Sequence, residues 1–321
     1  MNKIQRFIAA LLATTAFGAV HGADYPTKPV RIVVPIGAGS SMDIVCRVLA
    51  QKLTEAWNQT VIVDNRAGAG GNFGADLVAK SAADGYNILF ASSSFSIAPS
   101  FYKKLSYDAL RDFDAVTQLS SRNNVLTVVP SSPVTSVKEL IALAKAKPGQ
   151  LSFGSGGGTG SSDQMVGELF KLMAGVDIVH VPYKSGPQAM NDLIGGQIDG
   201  LCDSASSATQ AISSGLVKGV ALASPARLST LPNVPTSAEA GLPEFQIQGW
   251  YALFAPKGTP APIIARLNAA LRKAVANTDY QKKLDGLGSY VTPDSEITPD
   301  YLKAYVPREI EKFKSVLADG K

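Results

Sequence analysis

The feature that most constrains the fold of this chain is the repeated alternation of short apolar runs with longer amphipathic segments. Residues 30–35, 60–63 and 87–91 have the length and apolar content of buried strands. Between the first two, residues 43–53 place apolar side chains at helical spacing. This order is typical of parallel strands flanked by helices, so the sequence predicts an α/β fold.

A second set of strand and helix patterns follows the first. The further extended segments are predicted at residues 114–119, 125–129, 151–153, 178–182, 198–202, 217–223 and 250–256. A chain of 321 residues is longer than one hydrophobic core usually organises. We therefore expect two lobes.

Capping residues place some of the helix starts. Asp43 is expected to cap the first helix. Thr259 is expected to cap a later one, with Pro260 at its first position. The proline-rich residues 226–245 are expected to be irregular, with at most one short helix.

The N-terminus has the pattern of a secretory signal peptide. Lys3 and Arg6 give a positive start, and residues 7–17 form an uncharged apolar run. The run is shorter than the ~20 apolar residues that span a bilayer, which disfavours a membrane anchor. We expect residues 1–22 to be removed, with cleavage after Gly22 or Ala23, and the mature protein to be periplasmic.

The charge pattern argues against nucleic acid as a partner. Without Lys3 and Arg6, 28 basic residues stand against 26 acidic ones. The sequence contains no lysine- or arginine-rich tract, and such a tract is the usual mark of a nucleic-acid-binding surface.

Several predicted strands end in loops rich in glycine and hydroxyl residues, namely residues 37–41, 92–96, 154–162 and 203–207. In open α/β sheets the ligand crevice lies beyond the carboxyl ends of the strands. Helices that start there present unpaired amide groups, which favour anions. One such loop alone is more often a simple turn. Together, in two facing lobes, they predict a carboxylate site.

The motifs of common enzymes are missing from the sequence. Ser155 lies between Gly154 and Gly156, which is not the G-x-S-x-G spacing. Residues 37–42 begin like a dinucleotide fingerprint but lack its third glycine. His180 lies inside a predicted strand, where a packing role is favoured over a general base. We expect no catalysis, no metal and no cofactor.

Asp203 ends a predicted strand at the expected crevice. Its carboxylate could accept hydrogen bonds from an amino or hydroxyl group of a ligand, or it could hold a loop in place. The sequence leaves both roles open.

Seven collinear segments resemble the substrate-binding proteins of tripartite tricarboxylate transporters, also called Bug proteins. They are YPTKPVRIVVP at 25–35, DIVCRVLAQKL at 43–53, VDNRAGAGGNFGA at 63–75, DGYNILF at 84–90, VHVPYKSGPQAMNDLIGGQID at 179–199, LPNVPTSAEAGLP at 231–243 and WYALFAPKGTPAPIIARLN at 250–268. The resemblance runs from about residue 25 to the C-terminal helix.

The resemblance implies a type II periplasmic-binding-protein fold, with two α/β lobes joined by strands that cross near 123–126 and 248–252. One lobe would contain residues 24–123 and 250–321, and the other residues 124–249. Cys46 and Cys202 would then lie in different lobes. Because a disulfide would fix a cleft that must move, we expect buried free thiols.

The resemblance also implies a site for small carboxylates, such as di- or tricarboxylates, acidic amino acids or aromatic acids. The residues that we expect to line it are Ile36, Gly39, Ser40, Ser41, Met42, Asp43, Ser93, Ser94, Gly157, Thr159, Gly160, Ser161, Ser185 and Asp203. Family members usually have a proline- and glycine-rich first loop and often a histidine where this chain has Gln164. Met42 in the first loop would suit a partly apolar ligand.

The resemblance further implies a monomer that delivers its ligand to an integral-membrane permease. A sensor that reports the ligand to a membrane signalling protein is the alternative within the same class. A serine-dependent hydrolase and a purely structural protein are the alternatives from other classes.

Overall fold

Two separate sheets carry the fold in the computed structural model, which describes residues 25–318. The strands in chain order are β1 (Val30–Val34), β2 (Val61–Asn65), β3 (Asn87–Ser92), β4 (Phe113–Arg122), β5 (Asn124–Val128), β6 (Ser152–Ser155), β7 (Val179–Pro182), β8 (Gly200–Ser204), β9 (Lys218–Leu222), β10 (Gly249–Pro256) and β11 (Ser289–Val291).

Helices flank both sheets. In chain order they are α1 (Ser41–Trp57), α2 (Asn72–Ala79), α3 (Ser94–Phe101), α4 (Val137–Ala146), α5 (Ser162–Ala174), α6 (Gly186–Ile194), α7 (Ala205–Ser213), α8 (Ala261–Val275), α9 (Thr278–Gly286) and α10 (Pro299–Ala318), with short 3-10 turns at Ala69–Gly71 and Asp294–Glu296. None of these helices is long and apolar enough to cross a bilayer.

The first sheet has the spatial order β11-β4-β10-β3-β1-β2, and the second has the order β7-β6-β8-β5-β9. Parallel pairing joins β1 to β2 and β3, and likewise β6 to β7 and β8. Strands β10 and β5 run antiparallel to their neighbours. This is the predicted α/β architecture with two lobes. We call the parts built on the two sheets the first and the second lobe.

The chain changes sheet at two adjacent places. Strand β4 ends at Arg122 in the first sheet and β5 begins at Asn124 in the second, so Asn123 alone connects them. The chain returns to the first sheet at Gly249, which pairs with Arg122. Because the two crossings lie side by side, small backbone rotations there can turn one lobe against the other.

Apolar packing does not follow the two sheets strictly. Ile97 of α3 and Phe313 of α10 belong to the same buried cluster as Phe170 and Phe245 of the second lobe. Sheet membership therefore does not decide where one lobe ends. The lobe limits that we expect from the sequence stay a prediction, and the predicted signal peptide lies outside the described residues.

Two of the predicted helix caps were wrong. Ser40 caps α1, since its Oγ accepts a hydrogen bond from the backbone N–H of Asp43 at 3.3 Å. The Asp43 carboxylate instead accepts from the backbone N–H of Gly39 at 2.9 Å. Helix α8 begins after Pro260, while the Thr259 hydroxyl donates to the Pro256 carbonyl at 2.7 Å.

The predicted loop at residues 92–96 is also largely regular structure. Strand β3 extends to Ser92, and α3 begins two residues later at Ser94. Sequence periodicity could not show this, because a strand and a helix that follow each other so closely leave too few residues for either pattern to stand out.

Both cysteines are free and fully buried. Cys46 packs in the core of the first lobe and Cys202 in that of the second. Burial is the main cause that raises the pKa of both thiols. Because the thiolate is the reactive form, we expect Ellman's reagent to leave the native protein unlabelled and to label two thiols after unfolding. Fast labelling of the native protein, or fewer than two thiols after unfolding, would contradict this.

Candidate functional site

Five helices start at the cleft between the two lobes, and each is preceded by a serine: Ser40, Ser93, Ser161, Ser185 and Ser204. Three of these hydroxyls cap their helix in the usual way, each accepting a hydrogen bond from a first-turn amide at 3.1–3.3 Å. The remaining first-turn amides have no partner within their helix. Each helix start favours an anion by about 0.3–1 kcal/mol when exposed.

A cavity lies where these helix starts meet. It is lined by Pro35, Ile36, Ser40, Ser41, Met42, Gly70, Ser92, Ser94, Arg122, Gly156, Gly157, Ser161, Ser162, Asp163, Gly186, Asp203, Ser207 and Tyr251. Both lobes contribute to this lining, and hydroxyl groups and glycine backbone make up most of it.

Eight of the fourteen site residues expected from the sequence line this cavity. They are Ile36, Ser40, Ser41, Met42, Ser94, Gly157, Ser161 and Asp203. The structure thus brings together residues from four separate segments of the chain. That they contact a ligand stays a prediction.

The other six expected residues, Gly39, Asp43, Ser93, Thr159, Gly160 and Ser185, are not part of the lining. Gly39 instead lines an adjoining groove, and some of the others hold the chain beside the cavity through hydrogen bonds. The Asp43 carboxylate, for example, also accepts hydrogen bonds from Arg47 and Asn65 at 3.0 Å. The backbone N–H of Gly160 donates to the side-chain oxygen of Gln164 at 2.7 Å.

The cavity continues into a larger groove. Ser41, Gly186 and Ser207 line both spaces. Within the described part of the chain no charged side chain lines the groove, and Met190 and Leu216 are among its apolar residues. A ligand could therefore keep a charged end in the cavity and an uncharged part in the groove.

Direct hydrogen bonds join the two lobes across the cleft. The hydroxyl of Ser204 in the second lobe donates a hydrogen bond at 3.0 Å to the hydroxyl of Ser41 in the first. The Ser41 hydroxyl also lies 2.9 Å from that of Tyr251 in its own lobe. Tyr102 donates its hydroxyl proton to the Thr159 carbonyl at 2.6 Å. The lobes therefore lie against each other, and the structure is a closed arrangement.

Sequence reasoning missed a buried ion pair at the floor of the cavity. Arg122 Nη2 lies 2.7 Å from Asp163 Oδ1 and also donates to the Ser162 hydroxyl. Burial by itself lowers the pKa of Arg122, but the Asp163 carboxylate more than offsets this, so the pKa is raised. The guanidinium also lies 5.9 Å from the ring centre of Tyr251. The only feature of the sequence that could have pointed to this ion pair was the position of Arg122 at the predicted lobe crossing.

Asp203 is the second buried carboxylate of the cavity. One of its oxygens, Oδ1, accepts a hydrogen bond from the backbone N–H of Ser204 at 2.7 Å. The other oxygen, Oδ2, is buried and has no hydrogen-bond partner. Burial, followed by the nearby Asp163 carboxylate, raises the pKa of Asp203 to about 8.

His180 lies outside the cavity, beside a smaller apolar pocket of the second lobe. Its Nε2 is 2.7 Å from the hydroxyl of Ser155, which is fully buried. Burial lowers the pKa of His180. Among residues 25–318 no carboxylate is hydrogen-bonded to the imidazole, and no group of three or more His, Cys, Asp or Glu side chains could hold a metal ion. The pair is therefore a packing contact of β6 and β7.

Two α/β lobes, crossing strands and a polar interlobe cavity define a periplasmic-type solute-binding protein. The comparisons agree with this class. The model of the tripartite tricarboxylate transporter family receptor matches residues 45–311. The chain belongs to this family, which includes the Bug proteins, as the sequence resemblance predicted.

Individual relatives match over nearly the whole chain. BugT of Bordetella pertussis is 36% identical over 99% of this chain and 98% of its own. The periplasmic binding protein BugD superposes with a TM-score of 0.88 at 34% identity, covering 92% of this chain and 98% of BugD. MatC of Rhodopseudomonas palustris, with bound malate, superposes with a TM-score of 0.87 at 32% identity, covering 91% of this chain and all of that structure.

Proposed function

We propose that this protein captures a small organic carboxylate between its lobes in the periplasm and delivers it to the permease subunits of a tripartite tricarboxylate-type transporter. The observation that supports this most directly is the convergence of five serine-preceded helix starts on one interlobe cavity. The ligand of MatC, malate, is a carboxylate of the expected kind. The periplasmic location rests on the family and on the predicted signal peptide.

Closure of the lobes is the proposed mechanism. A ligand that contacts both lobes stabilises the closed arrangement over an open one, and the closed form then presents a defined surface to the permease. Since the lobes already meet through hydroxyl groups, the ligand adds its own hydrogen bonds to an existing interface.

The test is a panel of small acids that includes malate, glutamate and benzoate. A member of the panel should raise the melting temperature of the purified protein and give a one-to-one calorimetric titration. Mass spectrometry of the small molecule retained after purification would name the natural ligand. If no small acid changes the melting temperature, the proposal fails.

The removal of one bridging hydroxyl should weaken capture without unfolding the protein. Ser41→Ala deletes the group that bonds Tyr251 and Ser204, and each lost hydrogen bond costs about 0.5–1.5 kcal/mol. We expect calorimetry to show that the binding free energy for the captured acid is weakened by that amount or more. Ser81→Ala is the control, since Ser81 donates a hydrogen bond at 2.8 Å to Leu77, which does not line the cavity. Equal affinities for the two variants would contradict the placement of the site.

We propose that the chain performs no chemistry on the acid. The Ser155 hydroxyl is buried against His180, away from the cavity, so a hydrolase reaction has no accessible nucleophile there. An ester panel with and without Ser155→Ala tests this, and turnover that depends on Ser155 would overturn it. A pull-down that recovers a membrane kinase instead of a permease would favour the sensor alternative.

A further inference from the structure

The floor of the cavity contains two buried polar atoms without partners. Asp203 Oδ2 and Arg122 Nε are both inaccessible to water and make no hydrogen bond, and both residues line the cavity. Buried polar groups are nearly always hydrogen-bonded in folded proteins. Oδ2 lies against Gly186, which also lines the cavity, whereas Nε lies against Gly249 of β10, which does not. Oδ2 is therefore the position at which a bound molecule supplies the missing partner.

The charges around Asp203 do not balance if it is ionised. Among residues 25–318, Arg122 is the only cation of the lining, against the two carboxylates Asp163 and Asp203. Arg122 already pairs with Asp163 at 2.7 Å. An ionised Asp203 would leave a net negative charge at the floor and would repel an incoming carboxylate.

Neighbouring groups both raise and lower the pKa of Asp203. Burial and the Asp163 carboxylate raise its pKa to about 8, while the Ser204 amide, Arg122 and the Ser207 hydroxyl act to lower it. The start of α6 also favours the anion, because Gly186 lies against Oδ2. The remaining neighbours, Tyr251 of β10 and Cys202 of β8, both have raised pKa values through burial and carry no charge at neutral pH.

We propose that Asp203 is a specificity residue that holds a proton at neutral pH and donates it in a hydrogen bond to the carboxylate of the captured acid, close to the Arg122 guanidinium. This rests on the proposed capture of a carboxylate. It assigns Asp203 a role that the sequence did not suggest, since an ionised aspartate could only accept. Because its donors are one neutral group, Asp203, and one cation, Arg122, the site selects acids over amines and neutral solutes.

The protonated donor is present below pH 8 and lost as the pH rises through that value. Calorimetry with malate, glutamate and benzoate should therefore show wild-type affinity for the bound acid about tenfold weaker at pH 9 than at pH 7. In Asp203→Asn an amide N–H replaces the acid O–H at every pH. That variant should still bind, with affinity changing less than about twofold over the same range.

Wild-type affinity that is independent of pH, or that rises with pH, would overturn the proposal. An equal fall in the affinity of Asp203→Asn between pH 7 and pH 9 would also overturn it, because another group would then be titrating. A rise with pH would indicate instead that an ionised Asp203 holds a cationic group of the ligand.

A second measurement separates this proposal from the proposed function. In the ligand-free protein, carbon-13 labelled at aspartate carboxyls, one resonance that disappears in Asp203→Asn should titrate with a midpoint near 8. A midpoint near the ordinary value of about 3.9 overturns the role of Asp203 whether or not any acid binds. Failure of every acid in the panel to bind, with no acid retained after purification, by contrast overturns the proposed function itself.

Discussion

Arg122→Met is expected to lower the free energy of unfolding by about 3–5 kcal/mol. The substitution keeps most of the side-chain volume but removes the cation that pairs with Asp163 at 2.7 Å. The side chains of both residues are almost completely buried, with exposed fractions of 5% and 7%. The loss is large because the Asp163 carboxylate would remain buried without a counter-charge. Urea denaturation followed by tryptophan fluorescence measures it.

Two further variants show whether the cause is the unpaired charge. Arg111→Met removes an arginine whose ion pair with Asp108 is exposed, and it should cost less than about 1 kcal/mol. The double variant Arg122→Met with Asp163→Leu leaves neither charge behind and should recover much of the lost stability. A loss below 1 kcal/mol for Arg122→Met alone would show that the pair contributes little to the fold.

Gly70→Ala is expected to abolish lobe closure and to weaken capture of an acid by at least about 100-fold. Gly70 lies in the 3-10 turn of the first lobe, and a Cβ added there would overlap the carbonyl oxygen of Thr159 in the second lobe. That oxygen already accepts the hydrogen bond from Tyr102 at 2.6 Å. Because backbone stands on both sides of the contact, only separation of the lobes can relieve it. The ligand would then bind to one lobe alone.

Gly196→Ala is a closely matched control for this prediction. Gly196 has a φ of +69°, against +66° at Gly70, so alanine suffers the same left-handed backbone cost of about 1–2 kcal/mol at both positions. Nothing lies within 4 Å of a Cβ added at Gly196. Calorimetry should show normal affinity for Gly196→Ala, and small-angle scattering should show a more extended Gly70→Ala. Similar affinities for the two variants would mean that closure does not require this contact.

Much of the fold could be predicted from local patterns in the sequence. Strand and helix periodicity identified the α/β class, because side chains repeat every two residues in a strand and every 3.6 in a helix. The collinear family segments then implied two lobes and crossing strands, as observed. Local pattern failed where elements follow each other closely, as at Ser92 and Ser94, and where a serine three positions earlier was the better cap than Asp43.

The candidate site could be predicted only in part, because local sequence does not fix the tertiary contacts of a loop. The glycine- and serine-rich loops carry a signature that can be read in sequence, and Ser40, Gly157 and Ser161 line the cavity accordingly. Gly39 and Thr159 belong to the same loops but do not line the cavity: Gly39 lines the adjoining groove, and the Thr159 carbonyl accepts a hydrogen bond from Tyr102. The direction in which a loop side chain points depends on contacts that the loop sequence does not contain.

The sequence by itself determined the elements, the family and the loops that surround the cleft, since each depends on residues close together in the chain. Only the tertiary structure decided that Arg122 would meet Asp163, 41 residues further on. It likewise decided that Asp203 would be buried with one oxygen unpaired. The energy of a charged group depends on burial and on its nearest opposite charge, and both arise only when distant segments pack together.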